Sequence, residues 1–93
     1  MRVHEKLRIA LGELGWTQAR LAKVADMPQQ SVSELLRGKK RLIPLTAVKL
    51  GAALGLEPMD LLKQQVEWEL NDFEAEYRWL AADVRARRAR LNE

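Results

Sequence analysis

The sequence predicts an all-α protein: five short helices in a compact N-terminal domain, followed by an extended C-terminal amphipathic helix. Three observations carry this. Apolar residues recur three and four apart through most of the 93 residues, and no segment keeps the alternation of a strand. Gly and Pro fall at intervals that cut the first two thirds into short helices, and neither occurs after Pro58. From there an apolar stripe continues to Leu91.

The first helix runs over about Val3–Leu14, with Val3, Leu7, Ala10, Leu11 and Leu14 on one face and Gly15 placed to end it. Thr17 is an N-cap for a second helix reaching about Ala25, which carries Leu21, Ala22, Val24 and Ala25. Asp26-Met27-Pro28 breaks the pattern, and a third helix spans about Gln29–Leu36 before Arg37-Gly38. Pro44 opens a fourth helix that Gly55 stops after Leu54, and Pro58 opens a fifth.

Beyond it Val66, Leu70, Phe73, Tyr77, Leu80 and Val84 follow the 4-3-4-3-4 spacing of a coiled-coil seam, which Arg87 interrupts and Leu91 resumes. A stripe this long exceeds what a five-helix domain needs, so it is expected to serve dimerisation or partner binding, the alternative being that it folds back on its own core. Asn71 and Glu74 have capping-box spacing, which leaves open whether residues 58–91 form one helix or break near Asn71. The expected division is a domain over 1–65 and a helical extension over 66–93. The tryptophans are expected as core or interface anchors, with Trp79 at or beside the seam.

The net charge of +3 conceals opposed parts. Residues 1–56 hold ten bases against four acids, net +6; residues 57–84 hold two against eight, net −6; the last nine residues are +3 through four arginines. A polyanion suits the first part and a basic protein surface the second, with solvated helix faces as the plain alternative. The arginine tail is read as a solvated end, a nonspecific DNA arm or a helix end with favourable dipole interactions.

Several function classes fall away. The chain has no Cys and one His, so it offers no disulfide framework, thiolate zinc site or histidine metal cluster; no Ser, His and Asp set reads as a triad, no cofactor or metal is expected, and the chain is not read as an enzyme. Acid pairs such as Glu67/Glu69 and Glu74/Glu76 stand two apart on a helix and do not face each other as a catalytic dyad would. No apolar run approaches the roughly 20 residues of a membrane span, and the N-terminus, carrying Arg2, Glu5, Lys6 and Arg8, is unlike a secretory signal, so a cytoplasmic location is expected.

The most informative stretch is Gln18–Arg37, whose residue types match a helix-turn-helix. Ala22 is small where two helices would cross, Leu21, Met27, Val32 and Leu35 are apolar where they would pack, and Asp26 tolerates the left-handed backbone of a tight turn. With Val32, Leu35 and Leu36 turned inward, Gln29, Gln30, Ser33 and Glu34 face outward as a base-contacting set, because Gln bonds bidentately to an adenine edge. Gln18, Arg37, Lys39, Lys40 and Arg41 are the candidate phosphate contacts.

The runs Thr17-Gln18-Ala19-Arg20-Leu21-Ala22, Gln29-Gln30-Ser31-Val32-Ser33 and Leu36-Arg37-Gly38-Lys39 resemble the helix-turn-helix of the Cro/C1 phage-repressor superfamily, or XRE family, over about residues 3–65. The resemblance implies a lambda-repressor-like fold and binding to double-stranded DNA at an operator with two half-sites. In its terms Gln18 meets a phosphate, Gln29, Gln30, Ser33 and Glu34 face bases, and Arg37, Lys39 and Lys40 approach the backbone. An acid at Glu34 helps only by accepting from cytosine or by orienting a neighbour.

A narrower pattern is similar to HigA-type antitoxins: Pro28, Glu34, Arg37-Gly38-Lys39-Lys40, Thr46-Ala47, Leu50, Gly55, Pro58, Leu62 and Gln65. That resemblance implies a homodimer that represses its own operon and neutralises a toxin, usually an RNA-cleaving one. The chain departs from it in lacking a His-Pro-Gly-Glu N-terminal segment, in Leu61 where Trp is frequent, and in Arg41-Leu42-Ile43. Two other readings stand beside the antitoxin: a stand-alone phage-type repressor, and a protein-interaction module working through its acidic C-terminal helix.

Overall fold

The computed structural model describes residues 1–91 and is all-helical over them: α1 Val3–Leu14, α2 Gln18–Ala25, α3 Gln29–Leu36, α4 Pro44–Leu54, α5 Pro58–Asp72 and α6 Glu74–Leu91. Local chemistry accounts for most of these boundaries. Gly15 ends α1 at φ 67°, and the Trp16 N–H returns to the Leu11 carbonyl. The Thr17 hydroxyl accepts the Arg20 N–H at 3.1 Å to open α2. Asp26 closes it in the left-handed region, at φ 54°, a conformation the short polar side chain of Asp permits. Pro44 and Pro58 occupy the first turns of α4 and α5, where their missing N–H costs nothing.

Helices α1–α5 enclose one core. Leu7, Leu21, Val32, Leu35, Leu36, Leu42, Leu50 and Leu61 are its largest fully buried side chains, each contributing about 1.5–3 kcal/mol of apolar burial. Leu42 joins it from the α3–α4 loop rather than from a helix. Gln65 is the one buried polar side chain among the described residues. Its Oε1 accepts the Leu42 N–H at 2.6 Å and its Nε2 donates to the Leu42 carbonyl at 2.8 Å, so a side-chain amide pairs the loop as a neighbouring strand would. Leu14 and Val24, expected on apolar faces, are exposed instead, at the end of α1 and on the uncovered flank of α2.

Helix α5 runs unbroken through residues 65 and 66, and its last two turns are tied to the body. Arg41 binds Glu69 at 2.8 Å. Arg2 meets Asp72 at 2.8 Å and lies over the Trp68 ring, while Trp68 Nε1 donates to the Met1 carbonyl. The helix is interrupted one residue past the last tie, at Phe73 (φ −117°, ψ 24°), although Phe73 N–H still reaches Glu69 and Tyr77 N–H still reaches Phe73. Asn71 lies inside α5, so the Asn71/Glu74 capping box does not form.

Helix α6 buries none of its described residues. The stripe does not fold back on the core: its six residues are between 41% (Tyr77) and 54% (Val84) exposed. The molecule is accordingly long, 60 × 22 × 22 Å, with a radius of gyration of 17.5 Å against about 13 Å for a compact domain of this length. Trp79, 70% exposed, lies about 200° around the helix from Tyr77 but shares a shallow surface with Ala75, Glu76 and the seam residue Leu80, so it stands beside the seam on its Leu80 side.

Candidate nucleic-acid interface

The α2–turn–α3 unit presents the outward face of α3. Val32, Leu35 and Leu36 bury its inner side, leaving Gln29 and Gln30 exposed and Ser33 and Glu34 partly exposed. The turn between the helices is fastened from outside: Lys49 of α4 donates from Nζ to the Asp26 carbonyl at 2.9 Å. A left-handed turn, a small Ala22 at 5% exposure and this clamp together fix α3 against α2.

Glu34 acquires a definite role in this geometry. Its Oε1 accepts from Gln30 Nε2 at 3.3 Å, and its Oε2 stands 3.8 Å from Lys40 Nζ. The carboxylate therefore orients a neighbour on each side. Gln30 keeps its carbonyl oxygen and its second N–H free, the pair that an adenine edge requires.

The basic candidates divide by whether the chain already uses them. Arg41 is taken up by Glu69, through Nη2 at 2.8 Å and Nε at 3.3 Å, so its charge holds the α3–α4 loop to α5. Lys40 shares Glu34, and Arg37 reaches the Ser33 carbonyl at 3.4 Å. Lys39 is exposed, and among the described residues no ion pair engages Lys39 or Arg37. Gln18 is the first residue of α2, beside backbone N–H groups that have no acceptor within the helix. Sequence reasoning passed over Arg20, whose guanidinium is held 4.9 Å above the Trp16 ring within that same first turn. Its signal was the Trp-x-x-x-Arg spacing at the start of a capped helix.

A family model described as Helix-turn-helix matches residues 7–61, more than half of the chain. The chain belongs to this family. It is the XRE-type, Cro/C1-like class of helix-turn-helix domains, and the matched span covers α2, the turn, α3 and the buried leucines from Leu7 to Leu61. The protein is thus a DNA-binding transcription regulator. A search of curated proteins gives no match to the chain. Among the described residues no helix is long and apolar enough to cross a membrane, and no group of three or more His, Cys, Asp or Glu side chains could hold a metal ion.

Proposed function

We propose that this helix-turn-helix regulator is a sequence-specific repressor that binds, as a homodimer, an operator with two half-sites. The observation that carries the reading is the outer face of α3, where Gln29, Gln30 and Ser33 stand over an inward leucine row and Glu34 braces Gln30. Arg37 and Lys39 flank it and supply sequence-independent attraction to phosphates. Two such faces entering successive major grooves on one side of the duplex read half-sites about 34 Å apart.

The HigA-like pattern from Pro28 to Gln65 extends the proposal: the protein is the antitoxin of a type II toxin–antitoxin module, represses its own operon, and neutralises a toxin. The exposed apolar row of α6 and the acids of residues 57–84 support it, since a toxin that cleaves RNA carries a basic surface.

Electrophoretic mobility shifts at physiological salt test the first part. The protein is expected to prefer its own promoter over random duplex by about a thousandfold or more, and equal affinity for both refutes repression by sequence reading. Co-expression with the product of the adjacent gene tests the second part. Co-purification with loss of that product's RNA cleavage supports the antitoxin role; a neighbour that neither binds nor cleaves leaves the stand-alone phage-type repressor.

A further inference from the structure

We infer that α6 pairs with α6 of a second copy of this chain, and that the pairing is antiparallel. The inference rests on the homodimer proposed above and adds its orientation and contacts. In the heptad of the seam, Tyr77, Val84 and Leu91 occupy the a positions and Phe73, Leu80 and Arg87 the d positions. All five apolar members are exposed in the single chain, so the whole row awaits a partner.

Arg87 decides between the two orientations. In a parallel pair, d faces d, and the two Arg87 side chains would meet within the seam. In an antiparallel pair with Leu80 against the partner's Val84, Tyr77 falls against the partner's Arg87 and Phe73 against the partner's Leu91. Phe73, Leu80, Val84 and Leu91 then each find an apolar or aromatic neighbour, and the one cation in the row lies on the Tyr77 ring.

The flanking positions agree. Glu74 and Glu76 border the seam at the start of α6, and Arg88 and Arg90 border it at the end. Antiparallel pairing sets Glu74 near the partner's Arg88 and Glu76 near the partner's Arg90, twice over by symmetry. Parallel pairing gathers the arginines at one end and brings Glu74 toward the partner's Glu69. Asp83 meets its own symmetry mate close to the two-fold axis, where each is already neutralised by Arg87 at 2.9 Å. On the other flank Ala81 leaves room for close approach. Glu69 is occupied by Arg41, which confines the pairing to Phe73 and the 18 residues of α6, about 27 Å of helix.

Charge reversal tests this with the full chain. E74R/E76R makes all four flanking positions basic, and R88E/R90E makes all four acidic. Each variant alone is expected to self-associate at least about tenfold more weakly than the unaltered chain by sedimentation equilibrium, and an equimolar mixture to recover a dimer of nearly the original affinity. Circular dichroism on each variant reports whether its helices are intact. Tighter self-association of E74R/E76R overturns the antiparallel assignment, because a parallel pair would bring the introduced positive charge against the partner's Glu69. Unchanged association in both variants overturns it as well, while leaving the homodimer standing. An unaltered chain that remains monomeric at about 100 μM refutes the homodimer itself.

Discussion

Replacing Gln65 by Met keeps the volume of a buried side chain and removes both of its hydrogen bonds. The Leu42 N–H, now 2.6 Å from Oε1, and the Leu42 carbonyl, 2.8 Å from Nε2, would each be left without a partner at a buried position. A buried backbone group in that condition costs about 1–3 kcal/mol. A cleft of about 190 Å³ lined by Leu42, Gln65 and Trp68 opens beside them, so water relieves part of the cost, and the expected loss is about 2–3 kcal/mol. For a small domain with roughly 5 kcal/mol in hand, that halves the stability. Urea denaturation followed by far-ultraviolet circular dichroism measures it. Lys63→Met, at an exposed position on the same helix, is the control and is expected to stay within about 0.5 kcal/mol. A Gln65→Met protein as stable as that control would show that the amide clamp contributes nothing net.

Three further outcomes are expected. Gln30→Ala weakens operator binding by about 1–3 kcal/mol while leaving binding to random duplex unchanged, whereas Lys39→Ala weakens both and lowers the slope of log affinity against log salt by about one; mobility shifts across a salt series separate the two. At Asp26, held at φ 54°, substitution by Gly leaves the thermal midpoint nearly unchanged, while Val, β-branched and unsuited to the left-handed region, costs about 1–2 kcal/mol. Gly38→Ala would place a Cβ 2.9 Å from the His4 ring at φ 73°, so it is expected to destabilise by about 1–3 kcal/mol. Adding His4→Ala should return only the part due to the clash, leaving the backbone strain, which a double-mutant cycle measures.

The helices were legible because their ends are written locally. Gly15, Thr17, Pro44, Gly55 and Pro58 each act within a turn of where they stand, and the boundaries they predict coincide with α1, α2, α4 and α5. The outward set on α3 was legible for the same reason, since Val32, Leu35 and Leu36 fix which side faces in. What stayed hidden depends on residues far apart in the chain. Nothing local to Arg41 announces that Glu69, 28 positions on, will claim it, nor that Gln65 will clasp Leu42 from 23 positions away. The interruption at Phe73 was partly legible: the sequence left open a break near Asn71, two residues earlier, but on a capping box that does not form. The interruption has neither Gly nor Pro to mark it, and it follows the point where Asp72 gives α5 its last hold on the body.

Because α6 lends no side chain to the core, its sequence is released from the constraint that holds α1–α5. If α6 pairs as proposed, substitutions that retune its pairing leave the packing of the α1–α5 core of the DNA-binding head untouched. Two related chains could therefore carry near-identical heads and refuse to pair with each other. Duplicated regulators in one cell could diverge into separate circuits by changes in these 18 residues alone.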